Sequence, residues 1–318
     1  MGAGMELSDR IGRRLKLQDL HVLMAVVQAG SMSKAAVLLN TGQSAISRSI
    51  RELERTLGVC LLERGPRGVE PTPYGRAVLD GGASVFDDLR QTVKNIEFLA
   101  DPAAGEVRIG CPLFLAASFG SAVVDRLSRR YPRMMFQLVI AETDTLHRDL
   151  YERNVDLLIS RRLGWIADER LAFQPLFDDS YVVAAGAQSP WARRRRITLA
   201  ELVSESWTLP PLETPVGSAA MEIFRASGLD YPRVTVVIVP ALVRMSLLAT
   251  GRFLTMCSSF MLRFPPRRSV IKVLPIELPV APVPVGIITL KNRALSPVAQ
   301  LFIEHAREVA KPLAMRKS

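Results

Sequence analysis

The chain is poor in the residues that build catalytic and metal centres. It has three cysteines and three histidines in 318 residues. Cys60, Cys111 and Cys257 lie far apart, with no CxxC pair and no metal-ligand spacing, so they read as reduced thiols rather than a disulfide framework or a zinc site. His21, His147 and His305 are scattered one to an element and support neither a metal cluster nor a hydrolase triad. No G-x-S-x-G, P-loop or H-E-x-x-H pattern occurs, which removes the usual signatures of serine hydrolases, nucleoside triphosphatases and zinc proteases. An enzyme is therefore not expected, nor a cofactor or a metal. No apolar run reaches the roughly 18 residues that a membrane span needs. The segment 1–16 has no apolar h-region, so a secretory signal is not expected. Its Met-Gly start lacks the Ser or Thr of a myristoylation signal. The expected compartment is the cytoplasm, and no membrane partner is expected. Low-complexity segments and internal repeats are also missing.

What is present is positive charge and a well-patterned apolar fraction. Lys and Arg number 41 against 31 Asp and Glu, a net charge of +10, and 48% of residues are hydrophobic. The balance suits a polyanionic partner. Part of it sits in a run of four arginines at 193–196, which reads as a solvated loop.

Residues 31–58 carry the densest information. Ile46, Ile50, Leu53 and Leu57 recur at helical spacing and form one apolar stripe. Ser44, Ser47, Arg48, Arg51 and Arg55 fall on the opposite face. Hydroxyls and guanidinium forks bond phosphates and base edges, and Arg matches the acceptor pair of guanine bidentately. A shorter helix over about 33–39 precedes it, capped by Ser31 or Ser33. Ala35 and Ala36 allow the two helices to cross closely. Asn40, Thr41 and Gly42 make the turn, with Gly42 expected to take the backbone angles that other residues resist. Leu17, Leu20, Leu23, Met24 and Val27 give a further amphipathic helix that ends near Gly30. After Gly58, residues 59–63 and 69–72 flank a turn containing Arg64 and Arg67 and read as a basic hairpin, a wing. Val78, Gly82, Val85, Leu89, Thr92, Ile96 and Leu99 then alternate by four and three, a heptad seam over 78–99. Residues 101–105, Asp-Pro-Ala-Ala-Gly, end that helix in a hinge.

Residues 17–75 resemble the winged helix-turn-helix of LysR-type transcriptional regulators. The resemblance rests on Ala29-Gly30-Ser31, Ala35-Ala36, Leu39, Gln43, Ala45-Ile46-Ser47, Ile50, Leu53-Glu54, Leu57-Gly58, Leu62, Arg64, Val69, Pro71-Thr72 and Gly75. Two positions depart from the common pattern: Gly42 replaces a hydroxyl residue, and Ser44 replaces proline. By position, the resemblance implies that Gln43, Ser44, Ser47, Arg48 and Arg51 face DNA. Ser31, Ser33 and Lys34 would touch phosphates, and Arg64 and Arg67 would sit in the wing. It also implies that the helix over 76–101 pairs with its counterpart in a homodimer, assembled further into a homotetramer, a dimer of dimers, on double-stranded promoter DNA. RNA polymerase is a further implied contact.

From residue 106 the pattern alternates strands with helices, as in an α/β fold with a mostly parallel sheet. Strands are expected over 107–110, 134–141, 155–160, 181–185, 235–239, 253–256 and 283–289. Helices are expected over 113–131, 145–153, 215–227, 241–250 and 296–310. The resemblance extends here to a two-lobed, periplasmic-binding-protein-like regulatory domain over 106–312. Lobe one would take 106–180 and 284–312, and lobe two 181–283. The domain plan is then an N-terminal extension over 1–14, the all-α winged helix-turn-helix over 15–75, the linker helix and the regulatory domain. Ligands in open α/β sheets bind beyond the C-terminal ends of strands, against helix N-termini. That rule nominates Cys111, Pro112, Leu113, Phe114, Thr143, Thr145, Ser160, Arg161, Leu209, Pro210 and Ala241 as effector-binding residues. Hydroxyls and helix N–H groups suit a carboxylate or sugar hydroxyls, and Arg161 suits an acid. Residues 284–303 resemble the branch that controls sugar-uptake and aromatic-acid catabolic genes, which makes a sugar, sugar acid or aromatic acid the expected effector. The sequence also admits a constitutive or architectural DNA binder whose second half senses nothing.

Overall fold

The computed structural model describes residues 14–65, 68–162, 168–262 and 270–314, together with the backbone but not the side chain of Arg64. Apart from Arg14, the expected N-terminal extension lies outside the described residues, as does Arg67. The chain divides between Val93 and Lys94 into two compact units.

In the first unit, α1 (Leu17–Ala29), α2 (Met32–Leu38) and α3 (Gln43–Leu57) pack around Leu20, Leu23, Val26, Ala35, Ile46, Ile50, Leu53 and Leu61. The Ser31 hydroxyl caps α2 by accepting the Lys34 N–H at 3.1 Å. The turn differs from expectation in one detail. Gly42 is extended at φ −80°, and Asn40 is the residue in the left-handed region, at φ 49°. Asn tolerates that region better than other side-chain-bearing residues, because its short polar side chain bonds locally. Gly42 instead supplies the cap position of α3 without a capping side chain. The hairpin also starts later than the apolar pattern suggests. Glu54 Oε1 accepts the Leu61 N–H at 2.8 Å, which holds the segment after α3 out of the strand. β1 (Leu62–Gly65) pairs antiparallel with β2 (Gly68–Pro71), with Gly65 opposite Gly68. Gly68 takes φ 120°, and a Cβ there would stand 2.4 Å from the Gly30 carbonyl oxygen. The wing is thus pressed against the end of α1.

The long helix α4 (Pro73–Ala100) begins within this unit. Val78, Leu79 and Phe86 pack on the three-helix core, and Gly82 faces Leu20 and Met24 of α1. The first two positions of the heptad seam therefore face their own domain. From Val85 onward the stripe is exposed: Val85, Leu89, Val93, Ile96 (61% exposed) and Leu99 (80%). Val93, which the sequence pattern left out, belongs to that exposed stripe.

The second unit holds two five-stranded sheets. The first has the order β4-β3-β5-β12-β6, built from β3 (Ala104–Cys111), β4 (Arg133–Ile140), β5 (Leu157–Arg161), β6 (Leu171–Asp179) and β12 (Val283–Leu290). The second has the order β11-β7-β10-β8-β9, built from β7 (Tyr181–Gly186), β8 (Trp207–Leu209), β9 (Val234–Val237), β10 (Leu254–Ser258) and β11 (Ile271–Val273). Four of the five strands in each sheet run in one direction, and β12 in the first and β7 in the second run against them, each pairing antiparallel on both sides. The reversal follows from the chain path, because β7 is the strand on which the chain enters the second sheet and β12 the strand on which it returns to the first. β6, β8 and β11 escaped the sequence pattern. Pro175 interrupts β6 where its register against β12 shifts, and the other two strands have three residues each.

Helices cover both sheets. After β3 the chain runs through α5 (Leu113–Leu115), a π turn (Ala116–Gly120) and α6 (Ser121–Arg130), so the single expected helix is locally widened. α7 (Thr143–Tyr151), α8 (Pro215–Ala226), α9 (Ala241–Ala249) and α10 (Pro297–Ala314) complete the unit. Among the described residues no single helix is long and apolar enough to cross a membrane; only α1 and α2 together would pass, and they are bent by 115°.

Candidate nucleic-acid interface and ligand cleft

The outward face of α3 carries Gln43, Ser44, Arg48, Arg51 and Arg55, all exposed, with Ser47 half-buried beside them. Burial of Ile46, Ile50 and Leu53 fixes the helix rotation, so this face is a direct product of the apolar stripe. Arg51 Nε donates to the Ser47 carbonyl at 3.1 Å, one turn back on the same helix. Among the described residues no carboxylate pairs with Arg48, Arg51 or Arg55, so the face keeps its charge. On the inner side the Ser49 hydroxyl donates to Asp19 Oδ1 at 2.5 Å, tying α3 to α1. Ser33 and Lys34 are exposed on α2, and Ser31 is engaged in its cap. Arg64 lies in β1.

In the second unit, four strand-to-helix steps end at one place: β3 to α5, β4 to α7, β8 to α8 and β9 to α9. Each presents the start of a helix just beyond the C-terminal end of a strand. The first turn of a helix has N–H groups without intrahelical partners and a positive dipole end. An inner cavity of about 160 Å³ there is lined by Pro112, Leu113, Phe114, Thr143, Ser160, Arg161, Pro210 and Ala241, all expected from the sequence. Glu142, Thr214, Pro215, Val216, Val239, Pro240, Arg244 and Met261 also line it. It opens, through Glu142, Thr143, Thr214, Pro215 and Val239, into an outer space of about 760 Å³ bordered by Asp144, Arg162, Glu213, Ser218 and Glu222.

Three nominated residues do not reach this cavity. Cys111 is fully buried in the core of the first sheet, where desolvation pushes its thiol up to about 12. Leu209 is fully buried in the core of the second sheet. Thr145 lies farther along α7, its hydroxyl 3.5 Å from Arg148 Nη2. In each case the neighbouring position, Pro112, Pro210 or Thr143, takes the place at the wall.

Arg161 lines the cavity but is already paired. Its guanidinium donates to Asp179 through Nε at 2.9 Å and through Nη2, and stacks near Tyr181 and Phe114. Asp179 accepts further bonds from the hydroxyls of Ser258 (2.6 Å) and Ser259 (3.0 Å). Burial raises the Tyr181 hydroxyl beside this pair.

The sequence did not single out Arg244. It lies on α9 and is 3% exposed. Its Nη1 donates to the carbonyl oxygens of Ile238 (2.9 Å) and Val239 (2.8 Å), and its Nε is buried without a partner among the described residues. Desolvation lowers its pKa, against the smaller raising influence of Cys257 and Glu142. The available signal was one cation inside the apolar stretch Ala-Leu-Val-Arg-Met-Ser-Leu-Leu-Ala. Thr214-Pro215 was a second missed signal, a cap residue followed by proline at the first helical position.

A winged helix-turn-helix followed along the chain by a two-sheet α/β half with a polar cleft defines a DNA-binding regulator with a ligand-binding module. Residues 17–76 match the bacterial regulatory helix-turn-helix protein, lysR family, and residues 100–311 match the LysR substrate binding domain. The chain therefore belongs to the LysR family of transcriptional regulators. It is 27% identical to the HTH-type transcriptional regulator GbpR of Azospirillum brasilense, over 92% of this chain and 86% of that protein. Its fold resembles full-length CbnR complexed with its target DNA, at TM-score 0.62 and 21% identity, covering 93% of this chain and 100% of that one. It also resembles a full-length OxyR variant from Pseudomonas aeruginosa, at TM-score 0.67 and 20% identity, covering 96% of this chain and 99% of that one.

Proposed function

We propose that this regulator reads an interrupted inverted repeat in promoter DNA and is gated by a small molecule in the cleft between its two sheets. The observation that carries the reading is the outward face of α3, where Arg48, Arg51 and Arg55 stand exposed without carboxylate partners among the described residues, beside Gln43, Ser44 and Ser47. Charge so placed is matched to phosphate and guanine edges. Ser31, Ser33 and Lys34 are assigned to the backbone near α2, and Arg64 and Arg67 to the wing. The exposed stripe of α4 is assigned to pairing with a second copy, which brings two recognition helices to two half-sites. Two such dimers make the tetramer. The working compartment is the cytoplasm, where DNA and RNA polymerase are within reach, and the protein has no enzymatic role. The domain plan is the winged unit over 15–75, the linker over 76–101, and the regulatory domain over 106–312. Its lobes are 106–180 with 284–312, and 181–283. Pro112, Leu113, Phe114, Thr143, Ser160, Arg161, Pro210 and Ala241 are assigned to the effector, and a sugar, sugar acid or aromatic acid is the expected class.

A ligand shifts the regulator only as far as it binds one arrangement better than the other. The test is footprinting of the full-length protein on the DNA upstream of its own gene, with compounds first selected by thermal shift. A protected inverted repeat whose boundaries change with a stabilising compound is the expected result. Equal affinity for random DNA overturns the sequence-specific reading. A firm footprint that no stabilising compound alters replaces the gated reading with a constitutive one.

A further inference from the structure

We propose that Arg244 is the anion-recognising residue of the cleft, and that the effector carries one carboxylate or phosphate head seated against it, with a hydroxyl-bearing body. The inference rests on the reading of the cleft as the effector site and adds the chemistry of what fills it. Arg244 is nine-tenths buried or more, lines the inner cavity and makes no ion pair among the described residues. Its contrast with Arg161 is instructive, since both line the same cavity. Arg161 has Asp179, and among the described residues Arg244 has the carbonyl oxygens of Ile238 and Val239 on Nη1, with Nε left bare. A buried cation without an anion is costly, and so is a buried donor without an acceptor. An anionic head entering the cavity relieves both.

The surroundings favour the same charge. Thr143, Val216 and Ala241 belong to the first turns of α7, α8 and α9, each at least nine residues long, and all three line the inner cavity. Their dipoles and free N–H groups add to the field of Arg244. Glu142 is the carboxylate that opposes it. It lines both spaces and acts on Arg244 without bonding to it.

Size and charge then sort the ligand. The inner cavity, about 160 Å³, is smaller than the roughly 300–1,000 Å³ of a whole-ligand pocket, whereas the outer space of about 760 Å³ falls within it. The inner cavity thus takes a head and the outer space a body. The outer space is bordered by Glu142, Asp144, Glu213 and Glu222 against Arg162. That wall repels a second acid and accepts hydrogen bonds from hydroxyl groups. The geometry thus selects a hydroxylated mono-acid over a di-acid or a bare aromatic.

The experiment measures melting temperature of the full-length protein at constant ionic strength with gluconate, its di-acid relative glucarate, inorganic phosphate, and neutral sorbitol, each against chloride. Gluconate or phosphate is expected to raise the melting temperature saturably, whichever names the head, with sorbitol and glucarate weaker by at least tenfold in midpoint concentration. In Arg244→Met the anion effect should vanish while the ligand-free protein melts at or above wild type, since the buried charge is gone. Arg244→Lys, which keeps the charge, should retain part of the response. Absence of any anion effect in wild type, its survival in Arg244→Met, or equal stabilisation by sorbitol overturns the proposal. A cleft-filling Thr143→Trp variant separates the two levels. A neutral compound blocked by Thr143→Trp but not by Arg244→Met overturns the anion site and leaves the cleft reading standing. An anion effect that ignores Thr143→Trp overturns both.

Discussion

Arg161 and Asp179 form a buried ion pair at the point where the chain leaves the first sheet for the second. Arg161 ends β5, Asp179 ends β6, and the Asp179 carboxylate also holds Ser258 at the end of β10. One side chain thus joins strand ends of both sheets, including the central strand of each. Replacing Asp179 with Asn leaves the Arg161 charge buried and uncompensated. The expected cost is about 3–5 kcal/mol, the range for breaking a buried pair from one side. Urea unfolding followed by circular dichroism checks it. The double variant Arg161→Met/Asp179→Leu should recover most of the loss, because two apolar groups leave no orphaned charge.

Arg48 stands free on the outward face of α3, so its loss should spare the fold. Arg48→Ala is expected to leave the melting temperature within about 1–2 °C, as surface substitutions away from special features change stability by under about 0.5 kcal/mol. Specific DNA affinity should fall by about 1–3 kcal/mol if the guanidinium reads a base. Fluorescence anisotropy on operator and random duplexes separates this from a phosphate contact, which would weaken both equally.

Ile96 and Leu99 are the most exposed members of the α4 stripe, and Phe98 beside them turns inward onto the core of the second unit. Ile96→Glu places a charge on the face assigned to pairing and leaves that core untouched. The expected outcome is a drop in assembly size by sedimentation velocity, with an unaltered circular dichroism spectrum. An unchanged sedimentation coefficient would remove α4 from the interface.

The three thiols should separate sharply by reactivity. Cys60 is exposed, whereas Cys111 and Cys257 are buried and pushed up to about 12 by desolvation. Only thiolate reacts, so at pH 8 the folded protein should take up one equivalent of a thiol reagent quickly. All three should react once guanidinium unfolds the chain. Rapid loss of more than one equivalent in buffer would place Cys111 or Cys257 nearer solvent than the fold does.

The parts that were legible from sequence are those set by local periodicity. The buried stripe Ile46, Ile50, Leu53 orients α3, and once it is read the outward residues assigned to DNA follow. The helix starts at Leu113 and Ala241 were legible for a similar reason, because each follows a strand within a few residues, whereas α7 begins at Thr143, two residues before the expected start at 145. What stayed hidden depended on distant pairing. The Asp179 partner of Arg161 lies on β6, a strand whose pattern Pro175 breaks. Without that strand, Arg161 looks free to meet a ligand. Arg244 has the opposite history. On a half-exposed helix a single Arg is unremarked, and its isolation becomes visible only when the carbonyls of Ile238 and Val239 close around Nη1. The turn before α3 failed on a finer point, since glycine and asparagine both suit a left-handed residue and only the backbone shows which was used.

Ser180 alone separates β6 from β7, and its carbonyl oxygen accepts the Ser259 N–H at 2.9 Å, whereas the return crossing has residues 274–282 between β11 and β12. The longer connection is nevertheless as well fixed as the shorter, since Leu274, Ile276, Leu278 and Val280 pack on the core of the second sheet. The two crossings also lie side by side, because Val283 at the start of β12 pairs with Asp179 at the end of β6. Together they act as one axle, and a rotation about it would displace the cleft helices more than the crossing itself. The converse also holds: a ligand closing on those helices acts with the longer lever arm.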